Sequence, residues 1–305
     1  MLLNNKQQPY IDISSLPDVS KPEVDFHDTS FFQSESDTCP QLPTPAWILK
    51  QWQNQGSGVI TIDHLNLAIK FGDSSYLRLE EAQTMRAIRQ AFPQSDLPVP
   101  KVFGWRKYGD QHFIYMSLIR GTTLREAWKS LTRADKESIC DKLSRIVIAL
   151  RQITHTSPQR FIGSINGGTV QDRFFKLDYE EGPFLTIESF NDWLLAAATR
   201  QPPEQIDITC PYRSFFSDRG NIFFTHGDLT LGNIIVSGVP GSIKIEGIVD
   251  WEQAGWYPDY WEYCKLLYGV EYTHEWRKDG WVDKVMESFD DEWTAFAEYC
   301  SWRCP

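Results

Sequence analysis

The sequence predicts an α+β fold of two unequal lobes, and three observations carry that expectation. Short apolar runs fill residues 58–116 around a single amphipathic stretch, which reads as a mostly antiparallel sheet with one helix. From Thr123 onward 3.6-residue spacing dominates, as at Leu143, Ile146, Val147 and Leu150. Within that helical part lie two Ile/Val-rich runs, Ile234–Val236 and Ile243–Val249, split by the polar stretch Ser237 to Ser242. They read as a β-hairpin.

Residues 1–45 are rich in Ser, Asp, Gln and Pro and show no sustained period, so they read as an N-terminal extension ordered by local contacts at Phe26, Phe31 and Phe32. Residues 46–116 form the small lobe. Trp47 to Trp52 fits a short helix or a first strand. Val59–Ile62 and Leu65–Lys70 read as a hairpin turning at Asp63-His64. Just before it, Gln55 to Gly58 is a Gly-rich loop in the region where phosphates would be cradled, which makes Ser57 a candidate contact. The pattern G-x-G-x-x-G fails at Thr61, and no G-x-x-x-x-G-K-[ST] occurs. Tyr76 to Phe92 reads as a helix with an apolar stripe at Met85, Ile88 and Phe92. Glu81 lies on that stripe, four residues before Met85. A carboxylate buried there needs a cation, and Lys70 is the obvious one. Glu80 points about 100° away and should be solvated. Leu97–Phe103 and His112–Met116 complete a sheet of about five strands.

The large lobe, 117–305, opens with the connector Ser117 to Gly121, whose backbone groups face the cleft between the lobes. Helices are expected over Leu124–Ser130, Arg133–Thr154, Ile187–Thr199, Trp261–Tyr268 and Val282–Trp302.

Composition bounds the function. The chain has 305 residues, 41% hydrophobic and 23% charged, enough for a sizeable core. A net charge of −11 argues against a nucleic-acid backbone or an anionic membrane surface as partner. The N-terminus lacks the apolar core of a signal peptide, and no run approaches the ~20 apolar residues that span a bilayer. Cys39, Cys140, Cys210, Cys264, Cys300 and Cys304 form no C-x-x-C, and the six histidines show no metal-ligand spacing. Free thiols in a reducing cytoplasm are expected, and a metal-dependent hydrolase is not.

The chemistry concentrates between Phe223 and Tyr260. A hairpin brings its outer ends together, so Asp228 and Asn233, before its first strand, should meet Asp250, after its second. Two carboxylates at one place repel unless a cation lies between them. Oxygen ligands of this kind suit Mg²⁺ with substrate phosphates. The spacing D-x-x-x-x-N followed by a strand-terminal Asp is the protein-kinase arrangement of base, metal amide and metal carboxylate. Here His226-Gly227-Asp228 replaces H-R-D, and Asp250-Trp251-Glu252 replaces D-F-G. Leu67–Lys70 matches the strand-plus-lysine element of kinases.

The form HGDLxxGN…VDWE resembles the aminoglycoside phosphotransferase family of small-molecule kinases. The stretches 182–193 and 255–262 are similar to the branch abundant in filamentous fungi. The resemblance spans about residues 47 to 300 and implies a protein-kinase-like bilobal fold. It implies Asp228 as catalytic base, Asn233 and Asp250 as Mg²⁺ ligands, and Lys70 on the α- and β-phosphates, held by Glu81. It further implies the backbones of Ser117 and Ile119 facing adenine, and His226 bracing the loop. The sequence departs from the family in its degenerate Gly-rich loop and in Ser117, where many relatives carry Glu. The expected function is ATP- and Mg²⁺-dependent transfer of the γ-phosphate to a hydroxyl. The alternative is a nucleotide-binding protein of this fold without transfer.

Only seven residues separate Asp250 from Pro258, which leaves no room for a peptide-docking activation segment, so a small-molecule acceptor is expected. From Trp251 to Pro305 twelve Asp/Glu face five Lys/Arg, so this stretch carries −7 of the total −11. Such a wall would attract a cationic acceptor such as an amine or amino sugar; the rival reading is an acidic, soluble surface. Seven of the twelve tryptophans also lie there, for core packing in most cases and for ligand stacking in the other reading.

Overall fold

The structure, a computed structural model, describes residues 8–33, 40–52, 56–93, 97–173, 182–201 and 210–303. Cys39, Cys304 and Gln55 lie outside the described residues. In chain order the first elements are β1 (Tyr10–Ile11), β2 (Glu23–Asp25), α1 (Pro45–Gln51), β3 (Gly58–Ile62), β4 (Leu67–Asp73), α2 (Glu80–Ala91), β5 (Val102–Tyr108) and β6 (Gln111–Ser117). The stretch Trp47 to Trp52 resolves as helix. Thr44 caps α1 by accepting from Trp47 N, and Pro45 takes the first turn, where its missing N–H is harmless.

The small-lobe sheet is antiparallel, in the order β2-β5-β6-β4-β3. Its fifth strand, β2, comes from the stretch read as an extension. Three residues are too few to show a period, and Phe31 and Leu42 from the same stretch pack with Ile48, Ile69, Phe71 and Phe113 on the outer face of the sheet. Strand alternation turns Ile69 and Phe71 to that face and Ala68 and Lys70 to the other. Helix α2 begins at Glu80 rather than Tyr76. Asp73 captures Ser75 N through its side chain and Tyr76 N through its carbonyl, so the intervening residues form a turn.

The large lobe contains β7 (Thr122–Thr123), α3 (Leu124–Ala127), α4 (Arg133–Arg151), β8 (Thr154–His155), β9 (Gly163–Ser164), α5 (Ile187–Thr199), β10 (Ile222–Thr225), β11 (Ile234–Ser237), β12 (Lys244–Ile248), β13 (Gly255–Pro258), α6 (Trp261–Tyr268), α7 (Glu275–Lys278) and α8 (Asp290–Arg303). Strands β11 and β12 form the expected hairpin, with Ile234 opposite Ile248. A second antiparallel ladder, β10 with β13, puts Thr225 opposite Gly255. The loops 226–233 and 249–254 therefore leave two paired ladders side by side.

The helix expected over 282–302 is interrupted. A 3-10 turn at Val282–Lys284 precedes α8, and Tyr263 Oη donates to Asp283 and Asp290 at either end of the break. Five of the seven C-terminal tryptophans (Trp251, Trp256, Trp261, Trp276 and Trp281) are core residues, so packing accounts for them.

The N-terminal segment also reaches the large lobe. β1 pairs in parallel with β8, and Thr154 N and Thr156 N donate to Pro9 O and Ile11 O. Among the described residues no helix is long and apolar enough to cross a membrane.

Candidate active site

Lys70 reaches across the cleft. Its Nζ lies 2.7 Å from Glu81 Oε2 on α2, 2.5 Å from Asp250 Oδ1 and 3.0 Å from Glu252 Oε2. The Lys70–Glu81 pair forms as the sequence implies, with Glu81 wholly buried. Burial opposes the lysine's charge, but Glu81, Asp250 and Glu252 outweigh it and hold the ammonium above its ordinary range. Burial pushes Glu81 up to about 7 against the pull of Lys70. For Asp250 the attraction of Lys70 outweighs burial and keeps the carboxyl below its usual value.

Asp250 sits at φ 65°, in the left-handed region that non-glycine residues rarely occupy. That conformation ends the β12 run and starts the 3-10 turn Trp251–Gln253. A non-glycine residue held there is a strained position, the kind found where function requires it.

Asn233 and Asp228 form the second half of the site. Asn233 Nδ2 donates to Asp228 O at 2.9 Å and to Asp228 Oδ2 at 3.0 Å. Its amine is thus turned to the catalytic-loop candidate, and the amide offers Oδ1 as its ligand atom. Val249 N donates to Asn233 O at 2.9 Å, which brings Asn233 beside Asp250 at the hairpin's outer end. Burial, with Asp250 adding to it, pushes Asp228 up to about 6 against the opposing charge of Lys265.

His226 braces the loop from within. Its Nδ1 accepts from Asp228 N at 3.1 Å and its Nε2–H donates to Val249 O at 3.2 Å, so the ring is neutral with the proton on Nε2. Burial lowers it to about 4. Gly227 stands at φ 75°, and a Cβ there would lie 2.6 Å from Gln253 O, so this position requires glycine.

A cavity of about 310 Å³ opens beside these groups. Both lobes line it: Val59, Ala68, Lys70 and Glu81 from one, Asn233, Ile235, Val249 and Asp250 from the other, with Ser117 and Ile119 at the connector. The N–H of Ser117 donates to Lys101 O and that of Leu118 to Asn66 O. A base edge here would meet the Ser117 carbonyl or Ile119. Alternation puts Ser57 on the face that Val59 and Thr61 turn to the cavity, but one step further out, beyond the lining.

The donor set fits a divalent cation. The carboxylates of Glu81, Asp250 and Glu252 converge on Lys70 Nζ, with Arg173 also on Glu252, so that cluster is met by the protein's own cations. The oxygens that could hold an ion are Asn233 Oδ1 and the carboxylate of Asp250 at the hairpin's outer end. An amide oxygen and a carboxylate are hard oxygen donors, the kind Mg²⁺ takes together with phosphate oxygens.

Four further residues belong to the site that the motif alone did not assign. Glu252 joins Lys70 to Arg173, whose Nη1 is 3.0 Å away. Glu262, on α6, accepts from His226 N at 2.7 Å and Gly227 N at 3.3 Å, so a buried carboxylate holds the backbone of the catalytic-loop candidate. Lys265 and Asp172, both buried, pair at 2.6 Å. The available signal was in α6, where two opposite charges three residues apart interrupt an otherwise apolar helix.

A model of the phosphotransferase enzyme family matches residues 59–299. Among solved structures, the GDP and kanamycin complex of APH(2")-IIia is similar with a TM-score of 0.53 at 12% identity, over 82% of this chain and 81% of that one. The GDP complex of wild-type aminoglycoside 2'-phosphotransferase-IIIa is similar with a TM-score of 0.50 at 13% identity, over 82% and 81%. At this identity the likeness is one of fold. No curated protein matches the chain by sequence.

Proposed function

The chain belongs to the phosphotransferase enzyme family, a small-molecule kinase of protein-kinase-like fold, and we propose that it transfers the γ-phosphate of MgATP to a hydroxyl of a small cationic compound, such as an amine-bearing metabolite or an aminoglycoside-like sugar. The observation that carries this reading is the grip of Glu81 and Asp250 on Lys70 at the edge of a cavity shared by both lobes. Phosphoryl transfer rests on positioning and on neutralising the phosphate oxygens. Lys70 would contact the α- and β-phosphates, with Glu81 aiming it. Asn233 and Asp250 would hold Mg²⁺, which supplies the charge that screens the transferring oxygens. Asp228 would accept the hydrogen bond of the attacking hydroxyl. Ser117 and Ile119 would face adenine, and Ser57 would reach the phosphates from the outer end of β3.

The short link from Asp250 to Pro258 supports a small acceptor, and the acidic C-terminal stretch supports a cationic one. We place the enzyme in the cytoplasm, where ATP is abundant and Cys140, Cys210 and Cys264 would stay reduced.

The test is a screen of hydroxylated amines and amino sugars with enzyme, Mg²⁺ and ATP or GTP, reading ADP or GDP release and the mass of one added phosphoryl group. Asp228→Asn should abolish transfer while nucleotide binding persists. Wild-type turnover by that variant would remove Asp228 from the role, and nucleotide binding without any transfer would leave a binding protein of this fold.

A further inference from the structure

Two lysines stand at the site, Lys70 in the cavity and Lys265 behind the loop of Asp228. Lys265 is buried on α6, where a charge is costly unless it is paired and hydrogen-bonded. Its Nζ donates to Asp172 Oδ2 at 2.6 Å and to Gln253 Oε1 at 3.1 Å. Gln253 Oε1 also accepts from Arg173 N at 3.1 Å, and the carbonyl of Gln253 lies against Gly227, the residue before Asp228. Three residues earlier on the same helix, Glu262 holds His226 N and Gly227 N. Residues three apart share a helix face, so α6 supports the Asp228 loop at two points.

Position separates this cluster from the nucleotide. Asn233 and Asp250 line the 310 Å³ cavity, whereas Asp172, Arg173, Gln253 and Lys265 do not. The cluster nevertheless backs the loop that carries Asp228: Lys265 Nζ bonds Gln253 Oε1, and the carbonyl of Gln253 abuts Gly227. The pair therefore stands near Asp228 but outside the nucleotide cavity. In-line transfer puts the acceptor on the far side of the γ-phosphate from the departing ADP.

We propose that Lys265 is a positioning residue for phosphoryl transfer: through Asp172 and Gln253 it locks the acceptor side of the site to the loop carrying Asp228, and it supplies the fixed positive charge on that flank. The inference rests on the phosphotransferase reading. In the step it serves, the acceptor oxygen forms a bond to the γ-phosphorus and the bond from that phosphorus to the β,γ-bridging oxygen breaks. ADP leaves with the bonding electrons, and the hydroxyl proton passes to Asp228. Lys265 is too deeply buried to meet the substrate, so it acts through the groups it holds.

The experiment follows inorganic phosphate release from MgATP with water as acceptor, under single turnover, together with the MgATP Kd by titration calorimetry. Replacing a buried ion pair by apolar residues of similar volume is often neutral for stability. Lys265→Met/Asp172→Leu should therefore fold and keep its MgATP Kd, while phosphate release falls by about tenfold or more. Lys265→Arg, which keeps the charge, should restore most of the rate. Gln253→Met leaves both charges in place and should lower the rate with an unchanged Kd, which reads the same link if the double variant does not fold. Wild-type release by the double variant, or by Gln253→Met, would reduce the cluster to packing and overturn the inference. So would a Kd that rises in step with the loss of rate. A wild-type enzyme that binds MgATP but passes phosphate neither to water nor to any compound of the acceptor screen would overturn the phosphotransferase reading and this inference together. With transfer to an acceptor but no release to water, the same variants are read on that acceptor's rate.

Discussion

Asp228 is held by opposing forces that set its working range. Burial and the neighbouring Asp250 raise its carboxyl to about 6, while Lys265 and the Asn233 amide pull it down. In the proposed role, accepting the hydroxyl's hydrogen bond, it must be ionised. The rate kcat/KM should therefore be level at neutral pH and fall as pH drops through about 6, approaching tenfold per unit. A pH–rate profile with no acid limb between about 5 and 7 would exclude Asp228 as the titrating base. Glu262 acts one step removed. Glu262→Ala strips the acceptor from two buried N–H groups, and an unmet buried donor costs about 1–3 kcal/mol. The variant should melt several degrees lower and lose about tenfold or more in kcat, since misplacement of a catalytic group is costly. Glu262→Gln, which keeps one oxygen, should lie between. The residues visible in the sequence were those with a motif spacing, namely Asp228, Asn233, Asp250, Lys70 and Glu81. Glu252, Glu262, Lys265 and Asp172 act through contacts between segments far apart in the chain, and spacing carries no record of those contacts.

At the scale of elements, the hairpin β11–β12 was legible because its period, its turn and its flanking polar residues all agree. The N-terminal segment was not, because strands of two and three residues have no period to read. The structure gives that segment a mechanical role. It adds β2 to the small lobe and β1 to the large one, and between them Pro17 O accepts from Gln83 Nε2 at 2.7 Å. Gln83 lies two residues after Glu81, and Arg86 on the same helix pairs with Asp28 at 2.6 Å. Helix α2, and with it the partner of Lys70, is thus tied to a segment that bridges the lobes. Gln83→Leu should destabilise the protein by about 1–2 kcal/mol, a buried hydrogen bond's usual worth with its partner left unmet. Removing residues 1–16, and with them β1, should also weaken MgATP binding. Calorimetry showing unchanged affinity in the truncated chain would limit the segment to a packing role.

For the whole molecule, the 310 Å³ cavity proposed for the nucleotide is a joint between lobes, so a ligand there should stabilise both together. At a hundred times its Kd, MgATP should add about 2.7 kcal/mol to unfolding. The gain should survive in Asp228→Asn, which is not a cavity residue, and should shrink in Asp250→Asn, which loses the Lys70 contact. Net charge then separates the two substrates. Part of the C-terminal acidity is structural: Glu252 pairs with Lys70, Glu262 holds the backbone of His226, Glu275 pairs with Lys136, and Asp283 and Asp290 meet Tyr263. The long-range field is still that of a chain at −11. With the proposed substrates it would repel anionic MgATP and draw in a cationic acceptor. Between about 0.01 M and about 0.1 M salt the screening length contracts from about 30 Å to about 10 Å. Over that range the acceptor KM should rise and the MgATP KM should fall. Initial-rate measurements in which both constants move the same way, or the acceptor's does not move, would mean that the acceptor is not a cation and that the acidic wall is only a soluble surface.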